Sequence, residues 1–230
     1  MKKAFCLLSI AACFAFATTA VAQEAPLSPN DAPPPHVGFQ LGLRTGYQVP
    51  MGKATGASNS EMSNTYAGQV PIFIEIGGKP MPSLFVGGYL GLGFGGAAGD
   101  FDATCKANGL SCSTFSVRFG AEILYYILPG EMADPWLGYG IGFESSGFTI
   151  SAGGQSFSAN ESGFEFAHLM GGVDFRVSRV FGIGPFVDLS MGEFSRYHAD
   201  LLTGGIEEGD ITNTATHEWL AFGARGVFFP

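Results

Sequence analysis

Beyond residues 1–22, the sequence lacks any apolar run long enough to form a transmembrane helix. Charged residues are also scarce, at 13% of the chain, while 46% of the residues are hydrophobic. These two features exclude a helical membrane protein, and they are not typical of a cytosolic enzyme. The hydrophobic residues must therefore be spread over many short segments, which favours β-strands.

Basic residues are the scarcer of the two charge types, with 11 Lys and Arg against 20 Asp and Glu and a formal net charge of −9. Lys2 and Lys3 lie within residues 1–22, where there is no acidic residue. Loss of that segment removes these two positive charges and changes the formal net charge from −9 to −11. A chain this acidic is repelled by phosphate backbones, which excludes a general nucleic-acid partner.

Residues 1–22 have the features of a secretory signal peptide. Two lysines precede an apolar stretch, and Ala20-Val21-Ala22 supplies the small residues of a cleavage site before Gln23. An uncleaved anchor helix and a lipoprotein signal centred on Cys13 remain alternatives. Residues 23–35 are rich in proline and have no periodicity, so we expect a disordered periplasmic lead-in.

Two of the four cysteines, Cys6 and Cys13, fall within the predicted signal. The other two, Cys105 and Cys112, flank a segment that contains Asn108-Gly109, a pair that favours a turn. Because an exported chain matures in an oxidising compartment, this spacing favours a disulfide between Cys105 and Cys112. Zinc binding is the weaker interpretation, since no further ligands lie at a finger-like spacing.

Apolar residues alternate with small or polar residues in segment after segment. In the first segment Leu41 and Leu43 fall on one parity, and Gly42 and Arg44 fall on the other. A period of two places these sets on opposite faces of a strand. Repeated behind an export signal, the pattern predicts an all-β fold, an eight-stranded antiparallel up-and-down transmembrane β-barrel over residues 36–230. The strands are expected at 36–49, 67–77, 84–96, 113–128, 136–147, 163–178, 181–194 and 217–229.

The predicted connections alternate between short and long. The short ones are 77–83, 129–135 and 178–180. The long ones are 50–66, 97–112, 148–162 and 195–216. In barrels of this kind short turns face the periplasm and long loops face outside, so both termini are expected on the periplasmic side.

Charged residues near the strand centres share the parity opposite to the apolar set. They are Arg44, Glu75, Arg118, Glu122, Glu144, Asp174, Arg176, Asp188 and Arg225. An Arg or Lys that faces lipid near the midplane costs about 2–4 kcal/mol, so we expect all of them inside the barrel. Their four arginines and five acids nearly balance, which predicts a lumen filled by ion pairs.

A few other residues complete the parity analysis. His168 falls on the lumen parity, as a further member of the network. Glu165, Glu193 and Glu218 break the parity and are expected at the loop ends of their strands, where the cost of facing outward is small.

Aromatic residues near the predicted strand ends fit the girdles of a membrane barrel. At the periplasmic ends they are Tyr125, Tyr126, Trp136, Phe181, Phe228 and Phe229. Near the outer ends they are Tyr47, Tyr66, Phe115, Phe164, Tyr197 and Trp219.

The last strand alternates and finishes on Phe228 and Phe229. With this segment and the strand pattern, residues 36–230 resemble the eight-stranded outer-membrane proteins of the OmpA-barrel, OmpX and OmpW kind. The resemblance implies that these two phenylalanines form the signal read by the barrel-assembly machinery, although Pro230 displaces the terminal Phe by one place. It also implies a monomer in a Gram-negative outer membrane, in contact with membrane lipid and lipopolysaccharide.

Two motifs could indicate chemistry. The segment 91–96 fits G-x-G-x-x-G, but no helical period follows it, so slim lumen-facing residues explain its glycines better. Ser195, His198 and Asp200 have the residue types of a catalytic triad, yet neighbours on one loop seldom form one. We therefore expect no catalytic residues, no cofactor and no metal.

The functional hypothesis is a non-enzymatic barrel with a structural or surface-interaction role. Its long loops form the contact surface, including for any extracellular ligand. A narrow channel or hydrophobic-solute conduit of the OmpW kind is the first alternative. An enzyme that modifies lipid at the outer rim is the second.

Location tests this interpretation. The mature chain is expected to begin at Gln23, to fractionate with the outer membrane and to migrate differently on gels when it is not heated. Intact mass measurement, cell fractionation and electrophoresis of heated and unheated samples check these three points. Recovery as a soluble periplasmic protein would contradict the barrel.

Overall fold

The structure is a computed structural model that describes residues 35–200 and 205–230. Within these residues the chain is mostly β-strand, with two short helices. The strands are β1 (Gly38–Gly52), β2 (Tyr66–Met81), β3 (Leu84–Ala97), β4 (Ser111–Tyr126), β5 (Ala133–Ala152), β6 (Gln155–Arg176), β7 (Phe181–Asp200), β8 (Ile206–Asp210) and β9 (Thr216–Phe228). The helices are α1 (Met62–Thr65) and α2 (Gly99–Ala107). The predicted signal, with its cleavage site at Ala22 and Gln23, and the lead-in up to residue 34 lie outside the described residues.

Eight of the strands close into one antiparallel ring, and the predicted fold is confirmed. Each strand from β1 to β7 pairs with the next, and β9 pairs with both β7 and β1. Closure satisfies the backbone hydrogen bonds on both sides of every ring strand, so the ring has no free edge. β8 pairs only with the last residues of β7, from Arg196 opposite Asp210 to Asp200 opposite Ile206.

The alternation in the sequence becomes a wall that is apolar outside and polar inside. In β1, Leu41 and Leu43 are 38% and 46% exposed, whereas Arg44 on the opposite face of the same strand is fully buried. Phe119 and Ile123 of β4 are likewise exposed, while Glu122 is buried. This arrangement is the reverse of that in a water-soluble domain, and it suits a strand ring surrounded by hydrocarbon.

The two ends of the ring differ in their connections. At one end, the turn end, the connections are 82–83, 127–132 and 177–180. The other end, the loop end, has connections at 53–65, 98–110, 153–154 and 201–215. Short and long connections therefore alternate as predicted, except at the tip between β5 and β6.

The predicted long connection at 148–162 is wrong. β5 and β6 continue as a hairpin up to Gly153 and Gly154, whose φ angles are +56° and +89°. Positive φ at both central residues is the conformation of a type I′ turn, and it favours glycine. Strand pairing continues here, with Phe148, Ile150 and Phe157 on one face of the hairpin and Thr149, Ser151 and Ser158 on the other.

A helix also follows the glycine-rich segment 91–96, contrary to the sequence-based expectation of a loop. Asp100 and Asp102 lie in the first turn of α2, where carboxylates favour the helix dipole, and Lys106 Nζ lies 2.6 Å from Asp102 Oδ2. These acids would repel a pyrophosphate. Neither helix in the described residues is long and apolar enough to cross a membrane.

The glycines of this segment serve the packing inside β3. A Cβ atom on Gly93 would lie 2.3 Å from Ser116 Oγ and 2.4 Å from Gln69 Oε1. Such distances are far below van der Waals contact, so a side chain at this position would displace Ser116 and Gln69 from the hydrogen bond that joins them.

The predicted disulfide is confirmed. Cys105, in the last turn of α2, is bonded to Cys112 at the start of β4, with an S–S distance of 2.06 Å and a Cα–Cα distance of 6.2 Å. The bond fixes the C-terminal end of α2 against the wall of the barrel.

Replacement of both cysteines by serine is expected to lower the free energy of unfolding by at most about 2–3 kcal/mol, because the bond closes a short ring. The ring strands pair without it, so the barrel should still form. Urea unfolding in lipid vesicles and the gel mobility of unheated samples measure the two effects. Loss of the folded band in the serine variant would show that the bond is needed for assembly.

Candidate functional site

The interior of the ring holds the charged side chains that the alternation assigned to it. These nine side chains have exposed fractions between 0% and 3%. They are Arg44, Glu75, Arg118, Glu122, Glu144, Asp174, Arg176, Asp188 and Arg225. A charged group beside a water-filled channel would retain accessible surface, so these groups lie in a packed interior.

The first and last strands of the ring bring two arginines together. Arg44 of β1 and Arg225 of β9 are direct cross-strand partners, a position in which like charges repel. Glu75 of β2 bridges them. Its Oε1 lies 2.6 Å from Arg44 Nε, and its Oε2 accepts hydrogen bonds from Arg225 Nε at 3.0 Å and Nη2 at 2.7 Å. One carboxylate therefore offsets the repulsion at the seam that closes the barrel.

Each of these arginines also binds carboxylates on other strands. Arg44 donates from Nη1 to Asp188 Oδ2 at 2.9 Å and from Nη2 to Glu122 Oε2 at 3.4 Å. Arg225 donates from Nη1 to Asp174. Six of the nine predicted charges thus form one connected group. This group, the central cluster, consists of Arg44, Glu75, Glu122, Asp174, Asp188 and Arg225.

Arg118 lies nearer the loop end and has neutral partners. It donates to Ser190 Oγ and to Gln48 Oε1, each at 2.7 Å. Gln48 in turn donates to Gln69 Oε1 at 2.6 Å. This layer of amides and hydroxyls was missed in the sequence, because Gln and Ser on the inner parity resemble the small polar residues found throughout the strands.

Glu144 is also separate from the central cluster. It accepts hydrogen bonds from Ser146 Oγ at 2.6 Å and from Trp219 Nε1 at 2.7 Å, and its Oε2 lies 3.1 Å from His217 Nε2. His217 was not anticipated, although it occupies an inward position two residues before Trp219 in β9.

At the turn end two cations are stacked on aromatic rings. Arg176 lies over the ring of Phe229, 3.7 Å from its centre, and Lys79 lies over Tyr126 at 3.6 Å. Both cations are almost fully buried. Cation–π contacts of this kind are strengthened when the ion is removed from water. Lys79 and the buried Asp134 were missed because they lie beyond the strand centres.

Glu165 corrects the parity analysis. It was expected to face outward at a strand end, but it is fully buried. The pairing of β6 with β7 shifts between Glu165 and Ala167, which indicates a β-bulge. One extra residue reverses the parity, so Glu165 and His168 both face the interior although they are three residues apart. Glu193, which also breaks the parity, is exposed.

His168 lies between two carboxylates. Its Nδ1 is 3.0 Å from Glu165 Oε1 and its Nε2 is 2.7 Å from Asp188 Oδ1, so only the imidazolium can donate at both contacts. Tyr89 also donates to Glu165 at 3.1 Å.

The charges of the interior balance when histidine is included. Among the buried polar residues that the structure describes, seven carboxylates face five Lys or Arg side chains and two histidines. The net charge of the interior is therefore zero when both histidines are in the positively charged imidazolium form and all other groups are ionised.

Several aromatic residues assigned to the girdles lie inside instead. They are Tyr66, Tyr126, Trp136, Trp219 and Phe229, each at most 4% exposed. Buried Trp and Tyr need partners for their polar atoms, and the interior supplies them for three of these residues, among them Trp219, which donates to Glu144. Trp136 Nε1 donates to Asp174 at 3.2 Å, and Tyr126 donates to Gln40 Oε1 at 3.1 Å while accepting from Arg225.

The candidate triad is not assembled. Ser195 is the extra residue at a register shift between β6 and β7, and its hydroxyl makes no hydrogen bond to His198 within the described residues. His198 Nε2 is 3.7 Å from Asp200 Oδ1, and Asp200 accepts a hydrogen bond from Ser158. In the part of the chain that the structure describes, no group of three or more His, Cys, Asp or Glu side chains is placed to hold a metal ion.

Comparison with solved structures shows barrels of the same design. A major outer membrane protein from Thermus thermophilus superposes with a TM-score of 0.53 at 12% identity, over 84% of this chain and 98% of that one. OprG from Pseudomonas aeruginosa superposes with a TM-score of 0.48 at 10% identity, over 85% of this chain and 98% of that one. Ail from Yersinia pestis, in complex with a heparin analogue, gives 0.44 at 12% identity, over 84% and 99%. No protein-family model and no curated protein matches the sequence.

The fold and the charged interior define a class. The chain is an eight-stranded antiparallel β-barrel with the fold of small outer-membrane proteins, as the sequence resemblance implied. At this level of identity the likeness establishes the fold alone.

Arginine variants test the network. Arg225→Ala leaves buried carboxylates without a partner and is expected to cost about 3–5 kcal/mol of unfolding free energy. Arg118→Ala leaves only neutral groups unsatisfied and should cost about 1–3 kcal/mol. The control Arg196→Ala removes an exposed contact to Asp210 and should cost about 0–1 kcal/mol. Urea unfolding in lipid vesicles measures all three, and equal losses for the two buried arginines would refute this account.

Proposed function

We propose that the protein is a non-enzymatic outer-membrane β-barrel with a structural or surface-interaction role, and that its charged network closes the lumen. One observation carries the proposal. The nine charged side chains inside the barrel are at most 3% exposed, which favours a lumen without a water-filled path beside them. Eight strands enclose an interior that side chains can just fill, which agrees with a closed barrel.

The outer surface supports the membrane location. Large apolar side chains remain exposed on every ring strand, including Leu43, Ile74, Leu90, Phe119 and Ile141. A surface of this kind would aggregate in water, and it is satisfied by lipid. We infer that a monomer contacts outer-membrane lipid and lipopolysaccharide, with the turn end in the periplasm and the loop end outside.

The last residues support the proposed assembly signal. Phe228 faces outward and is 41% exposed, while Phe229 is buried over Arg176. An apolar residue on the outer face of the last strand is accessible to the assembly machinery before the barrel closes. Phe228 and Phe229 therefore keep their proposed role as this signal.

The loop end supplies the contact surface. The hairpin formed by β5 and β6 extends past the apolar wall, and β7 with β8 extends beside it. These extensions form an ordered sheet rather than a set of unconnected loops. An ordered surface loses less conformational entropy on binding, which suits a role in recognition.

Conductance tests the closed lumen. Reconstituted in planar bilayers, the mature wild-type protein is expected to show no large, steady conductance, because its interior lacks accessible charged surface. Arg196→Ala, at the exposed loop end, should behave in the same way. A large, steady wild-type conductance would instead support the alternative of a narrow channel or solute conduit.

A further inference from the structure

A cavity of about 360 Å³ lies at the loop end of the barrel. It is bounded by the 53–65 connection on one side and by the outer parts of β5, β6 and β7 on the other. Its volume is at the lower end of the range for small-molecule sites. The cavity is separate from the central cluster.

On its inner side the cavity is closed by apolar side chains, and the nearest buried carboxylate already has hydrogen-bond donors. Met62 and Tyr66 of its lining form a buried apolar cluster with Phe194 and Trp219. Below this, Glu144 is engaged by Trp219 and by its other donors. Any charge that a ligand meets must therefore come from the walls.

Aromatic groups form much of the wall. Tyr66, Phe148 and Tyr197 line the cavity, and Met62 contributes a thioether. Tyr66 is only 4% exposed, and its hydroxyl has no hydrogen-bond partner among the described residues. That hydroxyl is not among the fully buried polar atoms that lack a partner, so it is open to the cavity and can accept a hydrogen bond from a ligand.

Glu161 supplies the charge. It is the cross-strand partner of Ser146 and of Tyr197, and all three residues line the cavity. It is half-buried, and it makes no hydrogen bond or ion pair with any described side chain. No Lys or Arg is among the described residues that line the cavity. His198, which also lines the cavity, has Asp200 and Glu208 as neighbours at 3.7 and 3.8 Å.

We propose that this cavity binds a small organic cation, a primary ammonium with an apolar body. The ammonium would pair with the Glu161 carboxylate and donate to the Tyr66 hydroxyl, while the apolar body contacts the aromatic rings. A metal ion is disfavoured because hard cations need six or more oxygen ligands, and these walls are largely carbon. The inference deepens the proposed surface role and rests on it for the outward position of the site.

Calorimetric titration of the folded, detergent-solubilised mature protein with benzylammonium chloride tests the proposal. Wild type is expected to show one saturable site. Glu161→Gln should weaken binding at least tenfold, because it removes the charge and keeps the shape. Tyr66→Phe should weaken it about threefold. Glu207→Gln makes the same charge change at the rim beside Tyr197, outside the cavity, and should stay within twofold of wild type.

Three outcomes would overturn the site. Equal affinity for benzyl alcohol would mean that the charge of the ligand is not recognised. Equal losses of affinity in Glu161→Gln and Glu207→Gln would mean that the ligand responds to the overall negative charge of the loop end. Absence of saturable binding would exclude the site directly. Gel mobility of unheated samples shows whether each variant is folded. Bilayer conductance of the wild type reports on the closed lumen independently, so failure of the binding site and failure of the proposed function are distinguishable.

Discussion

Closure of the ring depends on a carboxylate placed between two arginines. The strands that meet at the seam carry Arg44 and Arg225 opposite each other, and in a low-dielectric interior their repulsion would oppose pairing of β1 with β9. Glu75 contacts both guanidinium groups, and it belongs to neither strand of the seam. The last strand is thus joined to residues 150 positions earlier in the chain by an ion pair as well as by backbone hydrogen bonds.

Such a network specifies the structure more than it adds stability. Burial of ions costs desolvation free energy, and good geometry recovers only part of it. A one-residue slip of any strand, however, would point its charges toward the apolar exterior and its Leu or Phe residues toward the ions. The correct strand register is therefore separated from registers shifted by one residue by a large difference in free energy. His168, held between Glu165 and Asp188, extends this constraint to β6 and β7.

The alternation was sufficient to predict the barrel and the inward face of its strands, because a period of two is a direct consequence of strand geometry. The hydrogen-bond and ion-pair partners of the inward-facing side chains were less predictable. Arg118 and Glu144 face each other across β4 and β5, yet each bonds to other groups, because side-chain reach and not backbone register selects the contact. Glu165 escaped prediction since one bulge reverses parity without a sequence signal.

Aromatic residues near strand ends were ambiguous for a similar reason. Girdle positions and interior positions alternate along the same few residues, so Tyr125 faces outward while Tyr126 faces inward. The extended hairpin at Gly153 and Gly154 was missed because Ser, Gly and Asn, which favour loops, outnumber the alternating Phe148, Ile150 and Phe157 in its sequence.

That extension changes the topology of the sheet above the ring. Within the ring the sheet is cylindrical and has no edge. Beyond the loop end of the ring it opens into a flat extension, called here the blade, whose two edges, or margins, are not closed by pairing with each other. One margin is β8, which carries Glu207, Glu208 and Asp210. At the other, α2 is attached by its disulfide, and Phe101 packs edge-on against Phe148 of β5 at 5.0 Å. Like charges line the first margin and α2 lies beside the second, which disfavours the pairing of either margin with a further strand.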